Sequence, residues 1–373
     1  MIYQRIFIWF GALLALSVIV AVVLLQFDRS EPLDNEWPIL GQMYWVPKDS
    51  QDAPSLIIER GVEVTLRGSE LIFVQVPWAM GFDSIEAVSW LSQLAKKHNK
   101  KLGIGLDWMN LDRTDLLKAG AETWQFSEEK AYSAFEKDSW MIAKTYTPDY
   151  LSLGIEVDFL ARNSPREFQA FVNSYQRIYQ RIKSEFPAIK VLVTFQYDAI
   201  LRDSTEDQLL AEYGAIKAFG ALIDIVGLSV YPCQHYAAVA EIRSDYFRKA
   251  NQLTRNVGVF ETAWPGSVVE QDEQRKYVHW LLKEARRSAF DVLIWTSSTD
   301  IAAPISKQKR KYSVACGGNV ADWNGHLGLW DMNGKMKPAG RVWQDQLTRK
   351  RIISGSGGEA TSVQTHQNSK PGY

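Results

Sequence analysis

The chain has 373 residues, of which 46% are hydrophobic and 23% charged, a balance typical of a globular protein. Its 42 Lys and Arg residues meet 43 Asp and Glu residues, for a formal net charge of -1, so the chain lacks the overall positive field of a nucleic-acid-binding protein. Two cysteines exclude a disulfide-rich scaffold and a zinc site of four thiolates.

The first 30 residues contain an uncharged apolar run of 20 residues, Ile6 to Leu25. At about 1.5 Å of rise per residue, a helix of this length spans the hydrocarbon core of a bilayer. Arg5 precedes the run and acidic residues follow it, so the positive-inside rule places the N-terminus in the cytoplasm. The sequence therefore predicts an uncleaved single-pass anchor in an inner or plasma membrane. A cleaved signal peptide, and hence secretion, is the alternative.

Strand-like and helix-like segments alternate along the rest of the chain. The predicted strands are Ile39–Val46, Leu71–Trp78, Lys101–Trp108, Tyr150–Phe159, Lys190–Tyr197, Ile223–Tyr231, Asn256–Trp264 and Phe290–Thr296. The clearest predicted helices are Ser84–Lys97, Glu128–Lys144, Ser164–Phe186 and Asp272–Ser288, with a final helix around Pro338–Thr348. Eight strands alternating with helices predict an α/β fold, a single (β/α)8 TIM barrel preceded by the N-terminal transmembrane helix.

Three regions follow from this pattern: an anchor or signal segment over 1–30, the barrel over 31–349 and a disordered tail over 350–373. The tail is rich in Ser, Gly and other polar residues, which cannot build a core. A doubly wound open sheet is the alternative to a barrel, but no Gly-x-Gly-x-x-Gly follows an early strand. The sequence therefore predicts no nucleotide cofactor.

Three predicted strands alternate small residues with apolar ones and end in a large polar group. Counted back from the strand ends, the residues predicted to face the lumen are Asp107, Gly105 and Gly103, then Glu156, Gly154 and Ser152, then Tyr231, Ser229 and Gly227. Side chains alternate between the two faces of a strand, so these positions share one face. The carboxyl ends of barrel strands carry the active site in this fold, which makes the large polar residues candidates for chemistry.

Two glutamates end strands that lie across the barrel from each other: Glu156 on the fourth strand and Glu261 on the seventh. Hydrolysis of a glycosidic bond with retention needs two carboxyl groups about 5–5.5 Å apart, one to protonate the leaving oxygen and one to attack the anomeric carbon. The alternative is that each glutamate is a solvated residue at a strand end.

Segments around these glutamates carry a family resemblance. Glu156, the stretch Asp-Ile-Val-Gly-Leu-Ser-Val-Tyr-Pro at 224–232, Val-Phe-Glu-Thr-Ala-Trp-Pro at 259–265 and Trp295 resemble the retaining β/α-barrel glycoside hydrolases, most of all the arabinogalactan endo-β-1,4-galactanases. The resemblance implies Glu156 as acid/base, Glu261 as nucleophile, Tyr231 as hydrogen-bond partner of the nucleophile and Trp295 as a sugar platform.

Two positions differ from the pattern of that clan. Ile155 stands where the clan has Asn before its acid/base, and Leu71–Met80 contains no Arg. Hydrogen bonds to the sugar 2-hydroxyl that tighten in the transition state supply several kcal/mol in such enzymes. These differences bear on catalysis and on specificity for galactan.

Further substrate-binding candidates lie near the predicted strand ends. Five are tryptophans, whose flat rings suit the C–H face of a pyranose, although any one of them can instead plug the barrel: Trp45, Trp78, Trp108, Trp264 and Trp295. Asp107 and Asp158 could bind sugar hydroxyls or form salt bridges and loop caps. His235 could reach the cleft, but no His-x-His or His-Glu-x-x-His spacing exists, so no metal site is predicted.

Two loop features accompany this candidate site. Cys233 and Cys316, after the sixth and eighth strands, could form a disulfide across the rim. Four basic residues after the eighth strand could attract an anionic polysaccharide or form a solvated loop: Lys307, Lys309, Arg310 and Lys311.

Taken together, the sequence predicts a membrane-anchored, periplasmic or extracellular retaining glycoside hydrolase. Its predicted partners are the membrane and a β-linked polysaccharide, galactan-like or an exopolysaccharide, cut within the chain. A transglycosylase is a near variant. The alternative from another class is a barrel that binds glycans without cleaving them, within an envelope or exopolysaccharide assembly.

Overall fold

The computed structural model describes residues 37–45, 62–79, 84–110, 116, 124–202, 214–253, 256–266, 271–300 and 325–355. These residues belong to one compact unit that begins at Trp37. The predicted membrane span, Ile6–Leu25, lies outside them. No helix in the part of the chain that the structure describes is long and apolar enough to cross a membrane.

Eight parallel strands close into a barrel, which confirms the predicted (β/α)8 architecture. The strands are β1 (Ile39–Trp45), β2 (Leu71–Pro77), β3 (Lys101–Asp107), β4 (Tyr150–Ser152), β5 (Lys190–Gln196), β6 (Ile225–Val230), β7 (Val257–Thr262) and β8 (Val292–Trp295). Each strand pairs with the next along the chain, and β8 pairs with β1 to close the ring. β4 is far shorter than its predicted range, Tyr150–Phe159, because the chain turns after Ser152 and enters a helix at Asp158.

Helices surround this ring. They are α1 (Ser84–Lys97), α2 (Glu129–Tyr146), α3 (Asp158–Asn163), α4 (Pro165–Glu185), α5 (Tyr197–Arg202), α6 (Gln271–Arg287) and α7 (Pro338–Gly355). α7 continues past residue 350, where the disordered tail was predicted to begin. Lys350 explains the difference, because its Nζ donates to the Pro38 carbonyl at 2.7 Å and to Glu70 Oε2 at 2.6 Å, which ties the helix to the barrel wall.

Side chains inside the barrel form a small core that is separate from the larger core under the helices. Phe73, Leu192 and Phe260 belong to the inner core. A Cβ atom on Gly103 would lie 2.5 Å from the Phe73 ring, so the small residues predicted for β3 make room for a large neighbour. The period-two prediction for β3 is confirmed at this position.

A buried ion pair joins the two described stems of the connection between β8 and α7. Lys337 Nζ lies 2.9 Å from Asp300 Oδ1, and both side chains are nearly inaccessible to solvent. The same carboxylate accepts the Gly328 N–H, and the ammonium also donates to the His326 carbonyl. Burial raises the pKa of Asp300 and lowers that of Lys337, while each charge opposes the shift of the other.

Replacing Lys337 by Met should destabilise the protein by about 3–5 kcal/mol, since it leaves the Asp300 carboxylate buried without a counter-charge. Because burial already raises the pKa of Asp300, the unpaired carboxyl takes up a proton as pH falls, and the loss should shrink toward about pH 4. Denaturant unfolding across pH measures this. The double variant Asp300→Asn, Lys337→Met should recover much of the loss, and a double variant as unstable as Lys337→Met alone would contradict the role of the charge.

Candidate active site at the barrel mouth

A β-bulge places Glu261 in the mouth of the barrel. Leu228 pairs with Val259, but the next residue of β6, Ser229, pairs with Glu261, so β7 carries one extra residue at this point. Phe260 packs in the inner core, and the bulge lets Glu261 also face the lumen instead of the helices. Glu261 as a whole residue is 8% exposed, so it is buried.

Glu156 lies on the tight turn between β4 and α3 rather than on the strand itself. Its φ of 51° is in the left-handed region, which is uncommon for a residue with a side chain and is typical of functional turns. The Glu156 N–H donates to Thr194 Oγ1 at 2.8 Å, and the next N–H, of Val157, donates to the Thr194 carbonyl at 2.9 Å. Thr194 on β5 therefore holds the backbone of the turn that carries this carboxyl group.

The turn changes which residues face the lumen after β4. A Cβ atom on Gly154 would lie 2.6 Å from Val157 and 3.1 Å from Phe171, in the core under the helices, so the prediction that Gly154 faces the lumen is wrong. Ile155 instead faces inward, where its Cδ1 would lie 3.1 Å from a Cβ atom on Gly105. The alternation predicted from the sequence fails here because the strand has already ended.

Tyr231 links the nucleophile candidate to β8. Its Oη donates to Glu261 Oε1 at 2.7 Å and lies 2.8 Å from Thr296 Oγ1. A phenol has one proton and the carboxylate is the stronger acceptor, so the Thr296 hydroxyl donates to Tyr231 Oη. Burial raises the pKa of Tyr231 well above its ordinary value, and the negative charges of Glu261 and Glu156 raise it further. Both predicted carboxylates therefore act on this one phenol.

Asp198 holds the backbone of Tyr231 in place. The carboxylate, fully buried just after β5, accepts the Tyr231 N–H and the Tyr246 hydroxyl. Burial and the charge of Asp198 raise the pKa of Tyr246 well above its ordinary value. Asp198, Thr194 and Thr296 were not predicted from the sequence. Asp198 directly follows the predicted fifth strand and Thr296 ends the predicted eighth strand, whereas Thr194 lies inside the fifth strand and had no such signal.

Three of the five predicted tryptophan platforms lie outside the barrel, under the helices. Trp78, Trp108 and Trp295 are fully buried there. Their indole N–H groups donate to Asp138 Oδ2 at 2.9 Å, to the Leu153 carbonyl at 2.9 Å and to the Leu327 carbonyl at 2.8 Å, respectively. None of these rings can stack on a sugar in the mouth, which corrects the role predicted for each.

The pleat of β8 explains the correction at Trp295. Val292 and Ile294 pack in the inner core, so Trp295, one residue further, points toward the helices and Thr296 points inward. Trp264 is also nearly buried, with its ring centroid 5.2 Å from that of Tyr277. The side chain of Trp45 lies outside the described residues.

The predicted polar candidates have different surroundings. Asp107, at the end of β3, is partly exposed and accepts Gln75 Nε2 at 2.7 Å. Asp158 is 1% exposed, and its oxygens accept the Gln196 N–H at 2.9 Å and pair with Arg162 at 2.8 Å. Asp158 therefore supports the turn next to Glu156. This role matches the salt bridge that the sequence allowed for Asp158 as the alternative to sugar binding. His235 is exposed, just after a short 3-10 helix, Pro232–Gln234.

Among the described residues, no three His, Cys, Asp or Glu side chains form a group that could hold a metal ion. Cys233 is buried and disulfide-bonded. The only other cysteine of the sequence, Cys316, lies outside the described ranges, as does the basic run Lys307–Lys311.

Replacing Thr296 by Val should lower kcat by about tenfold, because the Tyr231 phenol loses the donor that directs its own proton to Glu261. Thr296→Ser should restore the rate. In a Tyr231→Phe background the Thr296→Val change should have almost no further effect. Since burial raises the pKa of Tyr231 well above 10, the phenol stays protonated at mildly alkaline pH, and no alkaline loss of activity should trace to it. If the two losses of kcat were additive in the double variant, this would contradict a chain of hydrogen bonds from Thr296 through Tyr231 to Glu261.

The fold resembles solved glycoside hydrolases. The exo-β-1,4-mannosidase Op5Man5 from Opitutaceae bacterium strain TAV5 aligns with a TM-score of 0.61 at 16% identity, over 86% of this chain and 60% of its own. Fungal β-1,4-galactanases align with a TM-score of 0.56 at 13% identity, over 83% of this chain and 99% of theirs. An endo-β-1,4-xylanase from Gloeophyllum trabeum aligns with a TM-score of 0.57 at 12% identity, over 83% of this chain and 96% of its own.

No protein-family model matches the sequence, and no curated protein matches it. The chain spans about 60% of the length of the mannosidase. At these identities the likeness establishes the fold. The chain has the (β/α)8 barrel of the retaining β/α-barrel glycoside hydrolases that its sequence resembles.

Proposed function

We propose that this protein is a retaining glycoside hydrolase that cleaves a β-linked polysaccharide. The observation that carries the proposal is the hydrogen bond from Tyr231 Oη to Glu261 Oε1 at the barrel mouth. Glu156 lies on the turn that follows β4, at the same end of the barrel. Two carboxyl groups at this end of a barrel are what hydrolysis of a glycosidic bond with retention needs.

Each carboxyl group takes a separate role. Glu261, held and oriented by Tyr231, attacks the anomeric carbon and forms a covalent glycosyl ester. Glu156 donates its proton to the departing glycosidic oxygen as the bond to the anomeric carbon breaks. It then removes a proton from the water that hydrolyses the ester, which releases Glu261 and keeps the anomeric configuration.

The substrate and the location are parts of the same proposal. The similar structures named as β-1,4-galactanases and as an endo-β-1,4-xylanase support a β-linked polysaccharide, galactan-like or an exopolysaccharide, cut within the chain. The similar exo-β-1,4-mannosidase supports the β-linkage alone. The apolar run Ile6–Leu25 supports a membrane anchor with the barrel on the extracytoplasmic side. The disulfide at Cys233 fits an oxidising compartment of that kind.

The test is release of reducing ends by the full-length protein in detergent. β-Linked galactans, glucans, mannans, xylans and acidic exopolysaccharides serve as substrates, with the Glu261→Ala variant in parallel. The proposal expects release from at least one polymer by the parent and none by the variant. Proton NMR of the first product should show the β-anomer, and an initial α-anomer would contradict retention.

A glycan-binding barrel without catalysis is the second candidate. It is favoured by Ile155, which puts a buried apolar side chain next to Glu156, and by Trp295, which lies under the helices instead of in the mouth. Both remove expected sugar contacts from the mouth. This candidate predicts saturable binding of a polymer by the parent with no new reducing ends at any protein concentration.

A further inference from the structure

A groove on the outer wall of the barrel has no residue in common with the site at the mouth. It has a volume of about 670 Å³ and lies between helical residues 62–67, the turn before β3, the connection after β8 and helix α7. Its lining combines basic and apolar side chains. Such a lining suits a ligand that combines a negative charge with an apolar face.

Among the described residues, two cations of the groove, Lys100 and Arg351, form no ion pair with an acid. Arg67 forms an ion pair with Glu63, so this pair is neutral. Lys100 Nζ donates to the Ser69 carbonyl at 2.7 Å, and Arg351 has no acidic partner among the described residues. Glu70, which also acts on Lys100, is already paired with Lys350 at 2.6 Å.

The two unbalanced cations repel each other. Burial lowers the pKa of Lys100, and the positive charge of Arg351 lowers it further, against the opposing charge of Glu70. An anion bound between the ammonium and the guanidinium relieves this repulsion. The planar guanidinium binds a carboxylate through two parallel hydrogen bonds, which favours a flat anionic group.

The rest of the groove suits a sugar ring. Val64, Leu66 and Met336 provide an apolar wall, and Trp330 lies beside it. Gln344 also lines the groove. A sugar acid supplies a carboxylate, hydroxyl donors and a C–H face, whereas a phosphodiester headgroup alone lacks the last of these.

We propose that this groove binds an acidic sugar residue of a polysaccharide, with Lys100 and Arg351 holding its carboxylate and the apolar wall packing against its C–H face. The site is a second, non-catalytic contact on the barrel wall. It rests on the proposed function only in naming the substrate class, an acidic β-linked polysaccharide.

The test is calorimetric binding to the full-length protein in detergent, in a Glu261→Gln background that prevents turnover. The probes are a β-1,4-linked oligomannuronate, a neutral β-1,4-linked manno-oligosaccharide of the same length, inorganic phosphate and glycerophosphoglycerol, the water-soluble headgroup of phosphatidylglycerol. The groove variant is Lys100→Gln with Arg351→Gln, and the matched control is Lys97→Gln, an exposed lysine of α1 outside the groove. Thermal melting shows that each variant is folded.

The proposal expects the groove variant to bind oligomannuronate at least about tenfold more weakly, with the neutral oligosaccharide and the Lys97→Gln control unchanged. Unchanged oligomannuronate binding in a folded groove variant overturns the proposal, and so does equal or tighter binding of phosphate or of glycerophosphoglycerol at the same residues. Cleavage is assayed separately in the Glu261 parent. A groove that binds the acid in a protein that cleaves nothing refutes the proposed function and not the groove.

Discussion

Replacing Glu261 by Gln should lower kcat by about four orders of magnitude and leave the fold intact. The amide keeps the shape of the carboxyl group and can still accept the hydrogen bond from Tyr231, but it cannot form the glycosyl ester. The measurement is the initial rate of reducing-end release from a polymer that the parent cleaves, beside a thermal melt of each protein.

Glu129→Gln is the matched control, because Glu129 is an exposed glutamate in the first turn of α2. Added azide offers a second readout with Glu261→Ala. A nucleophile that attacks in place of the missing carboxylate should restore turnover and give a glycosyl azide of inverted configuration. A Glu261→Gln variant that retains activity within about tenfold of the parent would exclude Glu261 as the nucleophile.

Replacing Glu156 by Gln should lower kcat/KM for a polysaccharide by about 10²–10⁴-fold, because the leaving oxygen then departs without a proton. Gln preserves the side-chain length and meets the same left-handed backbone requirement, φ 51°, so the comparison isolates the proton. An aryl glycoside with an acidic phenol as leaving group needs no protonation. Its kcat/KM should fall much less, while the second step slows and a burst of phenol appears.

Equal losses on the polymer and on the aryl glycoside would contradict the acid/base role. Thr194→Val is the structural comparison. It removes the hydroxyl that accepts the Glu156 N–H and leaves the carboxyl group itself in place. This variant should lower the rate on the polymer by less than Glu156→Gln does, because the carboxyl group and its proton remain while the turn that holds them loosens.

The fold was predictable because its signals are local. Buried parallel strands read as short apolar runs with helices between them, and seven of the eight strand ranges differ from the structure by only one or two residues at either end. Gly103 and Gly105 on β3 also marked the lumen correctly, since small residues at period two leave room for Phe73.

Details that depend on pairing between strands were not predictable in this way. The bulge between Val259 and Glu261 is visible only in the register of β7 against β6, yet it turns the nucleophile candidate inward beside Phe260. The packing of β8 likewise corrects the prediction that Trp295 is a sugar platform. Trp295 points outward, toward the helices, and Thr296 lies at the mouth instead.

The amino-acid sequence by itself determined the barrel and the two candidate carboxyl groups. Both follow from local patterns, namely the spacing of hydrophobic residues and the polar residues at strand ends. Only the tertiary structure decided which face each residue takes at a strand end. A bulge, or an early end such as that of β4 at Ser152, shifts the alternation by one residue, and one residue moves a side chain from the lumen to the helices. The groove formed by Lys100, Arg351 and Gln344 joins residues far apart along the chain, so no local pattern contains it.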